Sequence, residues 1–282
     1  AGLMAATTES LPARAKRPVS QRAGRWLSNN LIRIYAVFGF TYLFIPVGYT
    51  FVYSFNNSGK SNLNWRGFTT DKWANPCGAP DVCNALSNSL KIGLIATAVA
   101  TVLGTMIAFA LARHRFRGRT VTNLTIFLPM ATPEVVLGAS LLAFFLNVGV
   151  PLGFQTIVIA HIMFCISFVV VTVKARLASL DPRLEQAAMD LYADEWQTFR
   201  RITFPLVLPG IVAGALLAFS LSFDDFIITN FNSGDVNTFP KFVWVSSLRG
   251  IPAQANVIGS AMFFIALFAV LLGQAVTRRR RA

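Results

Sequence analysis

Residues 184–210 read LEQAAMDLYADEWQTFRRITFPLVLPG, a patterned, partly charged stretch running into an apolar one, and the fold turns on what it encodes. Just before it, Asp181 and Pro182 supply an N-cap followed by proline at the first helical position. Leu184, Ala187, Ala188 and Leu191 then recur at i, i+3, i+4 and i+7, with Arg183, Glu185 and Asp190 on the charged face. A second start falls at Asp194, with Gln197 three residues on as in a capping box. Arg200 and Arg201 lie near its end, and Pro205 is expected to halt it. The spacing predicts two short amphipathic helices in a connector from Lys174 to Pro205. Exposed, such a pair is a docking surface; the alternative is that both helices pack beneath their neighbours.

What flanks the connector is apolar. Of the 282 residues 54% are hydrophobic and 13% charged, and mean hydropathy is +0.56, about half the usual charge of a soluble domain. That excludes a soluble enzyme and a disordered basic protein. A helix needs about 20 apolar residues to cross a bilayer. Runs of that kind appear at Ile34 to Phe55, Leu90 to Leu111, Leu124 to Leu146, Leu152 to Val173, Leu206 to Thr229 and Asn256 to Val276. The expectation is an all-α polytopic membrane protein with six transmembrane helices. Residues 1–30 read as a flexible basic tail, 31–276 as the membrane domain with its coupling segment at 174–205, and 277–282 as a second basic tail.

The net charge of +13 has an address. Lys and Arg concentrate before the first run, at 113–119, through the 174–201 connector and at 278–281. Cytoplasmic flanks retain positive charge, so both termini and the connector are expected in the cytoplasm. The basic runs alternate with the spans, which argues against nucleic acid and leaves anionic membrane lipid as their other contact.

Cys77 and Cys83 fall in the first outer loop, where an exported location permits a disulfide; two free thiols are the alternative. Cys165 reads as a small buried apolar residue. His161 lies within a span without a sequence-local acidic partner, which favours packing over a proton relay. No metal-ligand spacing, phosphate loop or serine elbow is present in the sequence.

The quoted run resembles the cytoplasmic signature of permease subunits of binding-protein-dependent ABC importers, written there as Glu-Ala-Ala, a Gly beyond it, then Ile-x-Leu-Pro. Ala187, Ala188, Ile202 and Pro205 match. Gln186 replaces the motif Glu, with Glu185 adjacent, and Tyr192 replaces the motif Gly. The likeness extends over about Leu90 to Gln274. It implies a type I ABC importer permease fold in a bacterial inner membrane. It also implies a coupling helix that enters a cleft of an ATPase subunit, with Glu185, Gln186, Ala187, Ala188, Asp190, Tyr192 and Ala193 as the coupling residues. The chain itself would be non-catalytic and bind no cofactor, with ATP and Mg on two partner ATPases. A second permease, by resemblance a different one, and an extracytoplasmic binding protein complete the implied complex.

Three further stretches, LPMATPEVVLG (128–138), FSLSFDDFIITNF (219–231) and FPKFVWVSSLRGIPAQANVIGSA (239–261), are similar to spermidine/putrescine permeases. Independently, acids inside spans cost at least about 2.5–3.5 kcal/mol each at the bilayer centre, so they face a cavity or a partner. Glu134, Asp224 and Asp225 are such acids. They are expected to line a cation path, or else, for the aspartates, to brace an outer gate. Adjacent helical residues diverge by about 100°, so both aspartates share the path only where the helix unwinds. Phe223 and Trp244 are candidate cation–π contacts. Another cationic or amino-phosphonate solute is the nearest alternative substrate, and a secondary transporter the alternative class.

Overall fold

A computed structural model describes residues 19–59 and 61–279, and the elements found there are helical apart from one isolated bridge between Asn56 and Phe68. They are α1 (Val19–Tyr53), α2 (Asp71–Ala74), α3 (Val82–Arg113), α4 (Arg119–Ala131), α5 (Glu134–Asn147) and α6 (Phe154–Ala178). There follow α7 (Arg183–Asp190), α8 (Glu195–Thr198), a π-helical turn (Phe199–Thr203), α9 (Phe204–Asp224), α10 (Ile227–Asn232), α11 (Phe239–Arg249) and α12 (Ala253–Arg279). Among the described residues five helices are long and apolar enough to cross a membrane, or up to six if the bent pair α4 and α5 is counted as one span.

The chain divides between Val52 and Tyr53 into two compact units. In the first, α1 begins at Val19, inside the stretch expected to be a flexible tail; residues 1–18 of that tail lie outside the described residues. Ile32, Ile34, Tyr35, Val37 and Phe40 are all exposed and point in different directions around the axis, so the helix is apolar on every side. That is the condition of a segment whose solvent is lipid. At the other end, α12 runs to Arg279, into the stretch expected to be the second basic tail, of which residues 280–282 lie outside the described residues.

In the second unit α3, α6 and α9 pack together as the core. Within lipid, helices gain little by hiding apolar surface from one another, so close packing of small residues decides which faces meet. On α3, Ala96, Ala100, Gly104 and Ala108 recur every fourth residue and are buried. A Cβ on Gly104 would lie 2.8 Å from Val169 of α6, and one on Gly210 of α9 would lie 2.5 Å from Arg176. Phe164, Val169, Val170 and Val173 of α6, with Val207 and Ala218 of α9, fill the interior.

Two expected spans differ from continuous helices. The third is broken: α4 and α5 meet at 108° across Thr132 and Pro133. Pro133 has no N–H to continue α4 and drives Thr132 into extended backbone. The fifth ends at Asp224, not Thr229; Asp225 is extended and a separate short helix, α10, follows. Pro205, conversely, does not halt the helix before it. The run from Glu195 to Asp224 is helical throughout. The π turn, which ends at Thr203 two residues before Pro205, widens the backbone where the ring would otherwise collide with the carbonyl four residues back.

Between α1 and α3 the loop is built by side chains. Asn56 donates to Asn62 Oδ1 and to the Asn64 carbonyl, both at 2.7 Å, and accepts from the Arg66 N–H at 2.7 Å. Phe55 stacks between Phe68 and Trp73 at 5.4 and 5.5 Å. Cys77 and Cys83 are joined as a disulfide, with Cα atoms 5.4 Å apart, and Cys165 is buried and free.

Candidate functional site: a docking helix and an acid cluster

Helix α7 begins where the Asp181 carboxylate accepts from the Arg183 N–H at 2.9 Å, one position after the expected proline start. It closes on Tyr192, whose φ of 60° puts it in the left-handed region. The Tyr192 N–H donates to the Met189 carbonyl at 3.0 Å and the Ala193 N–H to the Ala188 carbonyl at 3.1 Å, the paired bonds of a Schellman cap. Tyr192 thus occupies a position that suits glycine and accepts the cost. Helix α8 starts with Asp194 accepting from the Gln197 N–H at 2.7 Å, the cap that the sequence spacing predicts.

The seven residues expected at the docking surface divide between two faces. Gln186, Ala187, Asp190 and Tyr192 are exposed, Tyr192 at 99%, alongside Leu184, Met189, Leu191 and Trp196. Ala188 is buried and Ala193 half-buried. Glu185, three positions before Ala188, also turns inward. Its two oxygens take the guanidinium of Arg113 at the end of α3, and its Oε1 also accepts from Thr203 Oγ1 at 2.7 Å. Beneath these groups lies an open cavity of about 610 Å³ lined by Phe109, Arg113, Glu185, Met189, Phe199 and Thr203 among others.

The acids gather at the two helix breaks. Glu134 opens α5, where its charge favours the helix N-terminus. It lies within electrostatic reach of both Asp224 and Asp225. The contact between elements is close: a Cβ on Gly138 would stand 2.9 Å from Phe231 of α10, and Asn232 Nδ2 donates to the Gly138 carbonyl at 3.3 Å. Asp224, the last residue of α9, and Glu134 are exposed. Asp225 is not; at 8% exposure it accepts from the Thr229 N–H at 2.7 Å and the Ile228 N–H at 3.3 Å, capping α10.

Asp225 also has a partner that sequence reasoning did not find. His161, 1% exposed on α6, places Nε2 3.3 Å from Asp225 Oδ2 and 3.0 Å from Thr229 Oγ1, with Nδ1 2.7 Å from Ser222 Oγ. The expectation of mere packing is corrected: the histidine is buried, but it braces the break. Ser222, Asp225 and Thr229, spaced by three and four, mark one face opposite a buried imidazole, and that spacing was the available signal.

Phe223 stacks on Phe219 at 5.8 Å, and Trp244, on α11, packs against Phe226 at 5.1 Å. Lys241 folds over the turn between α10 and α11, donating to Ser233 Oγ at 2.7 Å and to the carbonyls of Gly234 and Val236. Burial holds its ammonium below the usual lysine range, opposed by Asp235. Two basic residues near the α7 end are also internal braces: Lys174 donates to Asn123 Oδ1 at 2.7 Å and Arg176 Nε to the Leu206 carbonyl at 2.9 Å.

Five or six apolar membrane-spanning segments among the described residues, two of them interrupted beside carboxylates, and an amphipathic helix pair at one end define a multi-pass membrane transport subunit. Residues 100–282 match the family described as binding-protein-dependent transport system inner membrane component. The spermidine/putrescine transport system permease protein PotC of Haemophilus influenzae is 35% identical over 241 residues, covering 85% of this chain and 93% of that protein. The putrescine transport system permease protein PotI of Escherichia coli K12 is 36% identical over 230 residues, covering 79% and 82%. Among solved structures, a bacterial ABC transporter that imports the acidic polysaccharide alginate aligns with TM-score 0.63 at 16% identity, covering 94% of this chain and 99% of that one. The methionine transporter MetNI aligns with TM-score 0.55 at 17% identity, covering 71% and 95%. The chain belongs to the family of binding-protein-dependent inner membrane transport components, and its fold is that of type I ABC importer permeases.

Proposed function

We propose that this chain is one of two different permease subunits in an ATP-driven importer of polyamines. The observation that carries the substrate class is the placement of Glu134, Asp224 and Asp225 at two helix breaks, in a chain 35% identical to spermidine/putrescine permeases. Asp225 is occupied by His161 and by the turn it caps, so the bracing role falls to it. Glu134 and Asp224 are left exposed to meet ammonium groups. Two carboxylates at separate breaks pass a polycation between weak sites instead of holding it at one strong site.

Two ATPase subunits, carrying ATP and Mg, close against the exposed face of α7 and α8 on the cytoplasmic side and reorient the spans. An extracytoplasmic binding protein delivers the polyamine to the opposite side, and both termini are cytoplasmic. This chain contributes no catalytic residue. Leu191, Tyr192 and Trp196 supply the exposed apolar contacts that a docking surface requires.

The test is ATP hydrolysis and uptake in the reconstituted complex. Binding protein loaded with spermidine or putrescine is expected to stimulate hydrolysis, and Glu134→Gln or Asp224→Asn to cut uptake about tenfold, the effect of about 1.4 kcal/mol. Both variants assembling normally and transporting polyamine at wild-type rates would sink the path assignment.

A further inference from the structure

We propose that Glu185 is a positioning residue that pins the docking helix α7 to two spans at once, and that it is not an ATPase contact. This rests on the importer function proposed above. Glu185 belongs to the segment that the family resemblance assigns to ATPase coupling, yet its carboxylate points away from the exposed face. Both oxygens are taken by the Arg113 guanidinium, the final residue of α3, and Oε1 also accepts from Thr203, the final residue of the π turn that leads into α9. A two-point fork between planar guanidinium and carboxylate fixes direction as well as distance. A third bond from a hydroxyl leaves the side chain no free rotation.

The surroundings reinforce the pin. α7 is tied to the rest of the connector through short turns, at Asp181–Pro182 before it and the left-handed Tyr192 after it. Beside the pin, Phe199 of the π turn meets Phe109 of α3 edge-on at 5.5 Å and stacks on Trp196 at 5.7 Å. These ring contacts hold the π turn against α3 on the same side as the ion pair. A π turn within a long helix often marks a functional site, and here it supplies one of the three groups at the pin. Displacement of α7 is therefore passed to α3 and to α9 together, the two helices that flank α6 in the core.

The experiment uses the full complex with its ATPases, partner permease and binding protein. Spin labels at Arg183, the exposed first residue of α7, and at Val102 on α3 report the distance between the two helices. In the wild-type chain that distance stays constant when nucleotide binds, because the helices move as one body. In Glu185→Gln, which keeps shape but loses the charge pair, nucleotide shifts it. Substrate moved per ATP hydrolysed falls about fivefold or more in Glu185→Gln and Arg113→Ala, the size of an ordinary coupling energy. The exchange Arg113→Glu with Glu185→Arg restores much of that ratio, whereas a pair that served fold stability alone would leave the label distance and the ratio of assembled complexes unchanged in the single variants.

Glu185→Gln with an unmoved label distance and wild-type stoichiometry overturns the pin. So does loss of the ATPase from purified Glu185→Gln, which would make Glu185 a docking contact. A wild-type complex that carries no polyamine defeats the substrate assignment instead, because the label distance is read without substrate.

Discussion

Tyr192 shows how a single backbone angle carries both a sequence departure and its cost. A non-glycine residue in the left-handed region costs about 1–2 kcal/mol, and glycine returns part of that through its greater freedom when unfolded. Tyr192→Gly is therefore expected to stabilise the purified chain by about 0.5–1 kcal/mol, seen as a rise in thermal midpoint in detergent. The position was legible because the family motif has glycine there. The brace at His161 was not, because its partners lie 61 to 68 residues away and meet it only through helix packing. His161→Leu strands a buried carboxylate and should destabilise by about 3–5 kcal/mol, with Asp225→Asn in the same chain recovering part of the loss. Equal loss in the single and double variants, measured by thermal denaturation, would show that the two side chains do not act as a pair.

At the scale of helices, five of the six expected spans could be read from run length alone, because a bilayer imposes length on any helix that crosses it, and the third is the bent pair α4 and α5. The breaks could not be placed that way. Proline at 133 interrupts its span, while proline at 205 is absorbed into a continuous helix by a π turn, and local sequence does not distinguish the two outcomes. The small-residue stripe of α3 was equally hidden, since hydropathy does not see which face meets which neighbour. That stripe makes a sharp prediction. Gly104→Ala places a methyl 2.8 Å from the branched Cβ of Val169, which has no flexible end to swing aside. The cost is expected to be about 1–3 kcal/mol in thermal denaturation, with Val169→Ala relieving it. If Val169→Ala adds its own cost on top, the contact between α3 and α6 is looser than described.

For the whole molecule, orientation was argued from where positive charge falls, and it is open to direct measurement. Cysteine introduced at the exposed Leu63, in the loop after α1, should react with an impermeant maleimide added to intact cells. Cysteine at the exposed Phe116, in the basic turn between α3 and α4, should react only after permeabilisation. The reverse pattern would invert the molecule and remove the ATPases from the face proposed for them. The acid cluster and the docking helix pair were both found in the sequence as separate features. What the sequence did not reveal is that one unbroken helical run, Glu195 to Asp224, joins the docking end to the acids. Thirty residues at helical rise make a rod about 45 Å long. Tilting such a lever by about 5° around its middle carries each tip about 2 Å, in opposite directions. That is about half the separation of two touching carbon atoms, enough to part a contact beside Asp224 without bending any helix.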